Sequence, residues 1–406
     1  MLTASLEWVD ARFPLSKMWN EHLAQYYAPK NFNFWYYFGS LALVLLIMQI
    51  FTGIFLAGNY KPDAALAFGS VEYIMRDVNY GWLIRYMHST GASFFFLFIY
   101  LHMFRALLYG SYKKPRELIW LIGMLIYVCL MAESFLGYLL PWGQMSYWGA
   151  QVIISLFGAI PVIGEELAVW VRGDYVIGDT TLNRFFAYHV VLVPIILLAL
   201  AVVHIIALHE VGSNNPDGID IKKHKDPKTG IPLDGIPFHP YYTVKDIVGI
   251  VVFLIFFSII IFYMPEFHGY FLEYNNFVPA DPMKTPAHIE PSWYFTPFYA
   301  ILRAVPDKFL GVIAMGAAIV VLFFLPWLDR SPVRSIRYKG WIFKTALALF
   351  VISFFGLAYL GMNAPTPLRT DFARLFSAIY FGFFLLMPWY SKLDKTKPVP
   401  ERVTDR

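Results

Sequence analysis

Four histidines lie inside long apolar stretches: His88 and His102 in one, His189 and His204 in another. Imidazole binds metals and moves protons, and an ionisable side chain in hydrocarbon is costly without a function. Their spacing carries the argument. Fourteen residues of α-helix turn about 1400°, roughly 40° short of four turns, and rise about 21 Å. His88 and His102 therefore share a helix face at two depths. His189 and His204 are fifteen residues apart, with Pro194 between them to kink or re-phase the helix. Two such helices face to face would stack two bis-histidine sites across a membrane. Gly39 and Gly53, and again Gly123 and Gly137, are fourteen apart in two further apolar stretches. Glycine carries no side chain, so a flat macrocycle can lie against the backbone at those levels. The pattern points to a four-helix bundle clamping two haems, a usual place for such cofactors. Arg85, Arg105 and Arg184 stand three to five residues from a histidine, where haem propionates would pair with them. With both axial positions filled by imidazole, the iron keeps no open site for oxygen, and electron transfer is the expected role.

The elements that must hold these residues follow from composition. The chain has 406 residues, of which 58% are apolar and only 15% charged. Soluble domains carry roughly 25% charged residues. Disorder, a coiled coil and an ordinary soluble globule are thereby excluded, and a polytopic membrane protein is indicated. Eight stretches approach the roughly 20 residues a span needs: Phe34–Ala57, Leu83–Tyr109, Leu118–Leu140, Phe185–Leu208, Val244–Met264, Phe309–Leu328, Trp341–Leu360 and Phe372–Trp389. The expected fold is an all-α membrane protein with eight transmembrane helices, the first four forming the dihaem bundle. Short surface helices are expected at Tyr147–Phe157 and Glu165–Arg172, as a hairpin, and at Trp293–Arg303. The N-terminus has no early apolar core and reads as an interfacial helix rather than a secretory signal. The expected organisation is an interfacial segment 1–33, a haem-binding domain 34–210, a loop 211–243, a C-terminal helical domain 244–392 and a tail 393–406. Cys129 is the single cysteine, so no intrachain disulfide and no Cys-rich metal site can form. Of the 32 Lys and Arg residues, 21 fall on the side that holds both termini. In a bacterial inner membrane that excess places both termini in the cytoplasm.

Four stretches carry a family resemblance: Tyr80–Gly81–Trp82–Leu83–Ile84–Arg85–Tyr86–Met87–His88, Pro141–Trp142–Gly143–Gln144–Met145–Ser146, His209–Glu210–Val211–Gly212–Ser213–Asn214–Asn215–Pro216, and Pro291–Ser292–Trp293–Tyr294. From about Phe32 to the end of the eighth stretch, the chain resembles the cytochrome b family, the core subunit of quinol–cytochrome c reductase, and its proteobacterial branch in particular. The resemblance implies a protonmotive quinone cycle. His88 and His189 would hold an outer, low-potential haem b, and His102 and His204 an inner, high-potential one. It implies a Rieske iron–sulfur protein and a c-type cytochrome as partners, in a homodimeric complex, with no nucleic acid. The implied outer quinol site comprises Tyr138, Gly143 and the Pro291–Ser292–Trp293–Tyr294 motif. Many members carry Glu at the second position of that motif. Ser292 cannot serve as a carboxylate base, so Glu133, one turn before Gly137, and Glu290 are candidates to relay the quinol proton. The implied inner site, where quinone is reduced, uses His209 and Asp246, with Lys245 and Ser213 nearby. Lys222, Lys223, His224, Lys225 and Lys228 in the preceding loop suit a solvated face or contact with anionic phospholipid. Two other classes fit the histidines alone: a dihaem anchor of another dehydrogenase, and a transporter relaying protons. The two-sided quinone motifs weigh against the first, and the lack of an inverted repeat against the second.

Overall fold

In lipid a backbone must satisfy its own hydrogen bonds, so apolar runs of this length become helices. The computed structural model describes residues 2–403 and is built almost wholly of them. Met1 and residues 404–406, including Arg406 of the basic tail, lie outside the described residues. The long helices are α1 (Phe34–Ala57), α2 (Gly81–Tyr109), α3 (Glu117–Leu139), α4 (Asp179–Val211), α5 (Phe238–Tyr263), α6 (Lys308–Phe323), α7 (Trp341–Met362) and α8 (Pro367–Leu385). Among the described residues, α1–α5 and α7 are long and apolar enough to cross a membrane. Their outward faces are apolar and exposed, as at Phe51, Ile54 and Phe55 of α1, which suits contact with lipid tails.

Two of the eight expected spans differ. α6 has 16 residues, roughly 24 Å of helix against a hydrocarbon core of about 30 Å. It stops at Phe324, one residue before the short turn Leu325–Leu328. α8 bends by 62° into Met387–Leu393. The reason is shared. Pro326 and Pro388 lie inside apolar runs, and proline removes a helical N–H and clashes with the preceding turn.

α1 packs along α2, and α3 along α4. α5 touches α1 and α2, and the short helix Thr296–Ala304 packs against α6, α7 and α8. A single core cluster runs through all of them, from Leu45 of α1 and Phe96 of α2 to Leu357 and Phe384. The expected surface hairpin forms as Gln144–Phe157 and Gly164–Arg172. A helix at Ala67–Arg76 was not expected from the sequence.

The connections sort into two sets. On one side, β1 (Tyr27–Pro29) pairs antiparallel with β2 (Gly235–Pro237), joining the N-terminal segment to the α4–α5 connection. There Asp234 takes a hydrogen bond from Arg402 of the tail at 2.6 Å. Asp217, in the same connection, accepts from Arg337 at 2.9 Å and Tyr338 at 2.8 Å in the α6–α7 connection. Buried Asp329 of that connection pairs with fully buried Lys339 at 2.7 Å and with Lys113 at 3.2 Å, and accepts from Tyr112 at 2.6 Å. Burial works against the Asp329 carboxylate, and the Lys339 and Lys113 ammoniums outweigh it, holding the group below the usual carboxylate range. On the other side, the α3–α4 and α5–α6 connections join through backbone pairing of Gly143 with Pro279.

Removing one partner of a buried ion pair strands the other charge, at a cost of about 3–5 kcal/mol. Asp329→Ala is expected to lower the thermal midpoint of the detergent-purified protein strongly. Asp329→Leu combined with Lys339→Met is expected to recover most of the loss; equal midpoints for the single and double variants would show that the pair is not what matters.

Candidate functional site

The four glycines each face one of the four histidines. A Cβ built on Gly39 would stand 3.1 Å from His102, on Gly53 3.3 Å from His88, and on Gly123 3.3 Å from His204, and on Gly137 it would overlap His189. Helices α1 and α3 thus present bare backbone to imidazoles of α2 and α4 at two levels. Within each level the rings oppose one another, with centroids 6.1 Å apart for His88 and His189 and 6.4 Å apart for His102 and His204. Two metal–nitrogen bonds of about 2 Å each, plus roughly 1 Å from each nitrogen to its ring centre, sum to about 6 Å. The residues present therefore fit a metal carried by a flat group between each pair of rings. Among the described residues no group of three or more His, Cys, Asp or Glu gathers around a metal position.

Helix geometry explains how unequal spacings reach equal depths. His189 lies in a π-helical turn, Tyr188–Leu192, immediately ahead of Pro194. A π-turn takes up one extra residue, so the fifteen-residue spacing of α4 matches the fourteen of α2. The imidazoles are also steered from behind. Thr52 Oγ1 lies 2.9 Å from His88 Nδ1, and the Glu133 carbonyl and carboxylate each lie 3.0 Å from His189 Nδ1. Such partners fix the ring and leave Nε2 for a metal. At the inner level Arg105 leans onto His102 Nδ1 at 3.3 Å and over the Tyr36 ring.

The outer level opens into a cavity of about 430 Å³, within the range of small-molecule sites. His88, His189, Gly53, Gly137, Arg85 and Glu133 line it, and so do Tyr138, Ser292 and Tyr294 of the expected quinol site. One space thus joins the histidine pair to those residues. Tyr294 stacks on Phe96 with centroids 3.9 Å apart and its hydroxyl meets Ser134 at 2.6 Å. Other expected residues sit behind the wall. Trp293 donates to Ser93 of α2 at 3.2 Å, Pro291 precedes it in the connecting loop, and Glu290 pairs with His288 at 3.3 Å. Gly143 lies at the start of the Gln144–Phe157 helix, against Asn276. Arg184 is placed apart from the cavity lining: its guanidinium donates to the Trp170 carbonyl at 2.9 Å.

At the opposite surface, His209 packs on Tyr26 with centroids 4.7 Å apart, and the Tyr26 hydroxyl meets Ser213 at 2.9 Å. Asp246 lies instead beside Ser40 of α1. Lys245 stands over the Tyr242 ring.

Sequence reasoning missed Tyr26, Asn276 and Glu273. Asn276 lines the outer cavity and accepts from Ser146 N–H at 2.7 Å. Glu273, in the α5–α6 connection, faces the Tyr138 hydroxyl. Burial pushes its carboxyl up to about 7, and nearby Glu290 pushes the same way. No sequence motif marked either residue.

Comparison with known proteins agrees with this arrangement. Residues 23–212 match the family model described as cytochrome b/b6/petB, and residues 279–381 match the C-terminal cytochrome b/b6/petD model. A cytochrome b from Allochromatium vinosum is 64% identical, over 99% of both chains. The chain belongs to the cytochrome b family. A cytochrome b from Rickettsia typhi is 49% identical over 98% of this chain and 97% of its own length. A chain from a solved hyperthermophilic respiratory Complex III is similar with a TM-score of 0.88 and 40% identity, covering 96% of this chain and 99% of that one. Family membership implies haem b and a role in electron transport.

A side chain at position 137 would meet His189, whereas a Cβ at Gly316 meets nothing within 4 Å. Gly137→Val is expected to lose haem per chain, measured by pyridine haemochrome absorbance of the purified protein, and Gly316→Val to keep it. Equal haem content in the two would remove Gly137 from the site.

Proposed function

We propose that the chain is the dihaem electron-transfer subunit of a quinol–cytochrome c reductase. In this reading it oxidises quinol at an outer site and reduces quinone at an inner one, in a protonmotive cycle. The observation that carries the reading is the shared outer cavity, where the His88–His189 pair and the Tyr138, Ser292 and Tyr294 side chains line one space. His88 and His189 would hold one haem b, His102 and His204 the other, about 21 Å along the helices. When bound, the haems supply one-electron transfer between the two surfaces. Thr52 and Glu133 orient the outer imidazoles. Arg85, at the cavity wall, offers a cation for a haem propionate. The aromatic and aliphatic wall binds the quinol ring and excludes water. At the inner surface His209 and Asp246 would supply protons to a quinone, with Tyr26 and Ser213 shaping the place beside His209.

Eight crossings are part of the proposal, with α6 and α8 shortened by their prolines. The α2–α3, α4–α5 and α6–α7 connections meet one another and both terminal segments through Asp217, Asp234 and Asp329. That alternation supports an even number of crossings. The basic excess on that side supports both termini in the cytoplasm of a bacterium. The partners proposed are a Rieske iron–sulfur protein, a c-type cytochrome, phospholipid and a second copy of the complex. The likeness to a chain of a respiratory Complex III supports that setting.

A redox titration of the purified protein, wild type beside His102→Ala, tests the stacked sites. Two b-type components of different potential are expected, with the higher one lost in the variant. A single component in the wild type would break the assignment.

A further inference from the structure

Ser292 leaves the quinol motif without a carboxylate, yet Glu273 stands beside Tyr138, which lines the outer cavity. Glu273 belongs to a connection that is tied down from both directions. Gln144 N–H donates to the Val278 carbonyl at 2.9 Å, Ala280 N–H to the Trp142 carbonyl at 3.0 Å, and Ser146 N–H to Asn276 Oδ1 at 2.7 Å. Any Cβ at Gly143 would meet the Asn276 backbone within 2.8 Å, so glycine is required for this approach. The bond from Ser146 occupies the Asn276 amide oxygen. Its Nδ2 is left as a donor, 3.5 Å from Glu273 Oε2. Leu272 and Asn276, which flank Glu273, line the cavity together with Tyr138 and Tyr294.

The other acids of the region each pair with a histidine, and Glu133 also lines the cavity, with its second carboxylate oxygen unpartnered among the described residues. Glu133 bonds His189 Nδ1, and Glu290 bonds His288. The ionisable groups facing Glu273 are Tyr138 of α3, Tyr294 of the motif, Glu290 of its own connection and Arg85 of α2. We propose that Glu273 is a catalytic residue of the outer site, whose carboxylate accepts the hydroxyl proton of bound quinol in the role Ser292 cannot fill. The quinol O–H bond breaks and an Oε–H bond forms. Quinol becomes its monoanion, the carboxylate becomes neutral, and no electron moves in this step. The proton then passes to outer solvent, which restores the carboxylate. A general base works best when its pKa lies near the working pH, and burial among a hydroxyl, an amide and a second carboxylate puts Glu273 there.

The proposal rests on the quinol-oxidising reading above, and the test separates the two. In the intact complex, single-turnover reduction of haem b by a short-chain quinol is followed against pH, with the inner site blocked by an inhibitor. Wild type should slow as pH falls through about 7, because the base becomes protonated. Glu273→Gln is expected to be slower by about 10²-fold or more and to lose this acid limb, with its haem spectra unchanged. Glu273→Asp should keep the limb. Tyr138→Phe removes the hydroxyl facing Glu273, which lowers the Glu273 pKa, and should move the limb to higher pH. Independently of turnover, a protonated-carboxyl infrared band titrating near pH 7 in wild type should be missing from Glu273→Gln. A Glu273→Gln variant that keeps the wild-type rate and limb, or keeps the infrared band, would overturn the assignment. A wild-type complex that quinol cannot reduce at all would instead overturn the quinol-oxidising reading.

Discussion

Four places in this molecule require a helix backbone to pass within contact distance of an imidazole. At each of them a methyl group on the backbone would close the gap. Most of the architecture can be read as the means of meeting that requirement twice on each of two glycine helices. α1 must run beside α2, and α3 beside α4, so that both glycine levels meet their histidines. Both histidine helices must turn the same face inward at both depths. A shift of one residue along either helix would rotate an imidazole by about 100° and bring a bulky side chain to the glycine's level. The cage is therefore a constraint on register before it is a constraint on chemistry. The second-layer contacts from Thr52 and Glu133 then set the rotation of each outer ring.

The two ends of the bundle are held by different forces. On the side carrying the termini, three carboxylates, Asp217, Asp234 and Asp329, gather cations and hydroxyls from connections far apart in sequence. Charge pairs removed from solvent hold that end only while each partner is present. On the outer side the work falls to backbone hydrogen bonds between two connections and to the close approach that Gly143 permits. Backbone pairing sets position without placing fixed charge next to the cavity. The Glu273 carboxylate behind Tyr138 then answers chiefly to burial, with Glu290 pushing the same way.

Much of the cage was legible in the sequence, because a helix in lipid converts spacing directly into depth and face. His88 with His102, and each glycine pair, needed only the helical repeat. The spans at α6 and α8 read as continuous because an apolar run looks the same on either side of Pro326 and Pro388. Apolarity reports the solvent, whereas the break is a matter of backbone donors. Arg184 was associated with a histidine by proximity in sequence, but its place near the start of α4 aims it at the Trp170 carbonyl. Glu273 and Asn276 were invisible for a different reason. Ser146 and Asn276 meet across 130 residues, and no local pattern announces a contact between two irregular connections. Tyr26 likewise reaches Ser213 from 187 residues away.

The π-turn at Tyr188–Leu192 separates two quantities that the other three helices leave fused. In α1, α2 and α3 the number of residues between levels and the distance between levels are the same statement. In α4 they are not, since the chain carries a surplus residue that the turn absorbs without moving either imidazole. Chain length between the two histidines is therefore a tolerance of the design, while their separation in ångströms is its specification. A chain with fourteen residues there and a regular α-helix would meet the same specification. For α4, alignment by counting residues and alignment by depth in the membrane give different answers, and depth is the one the cofactors would register.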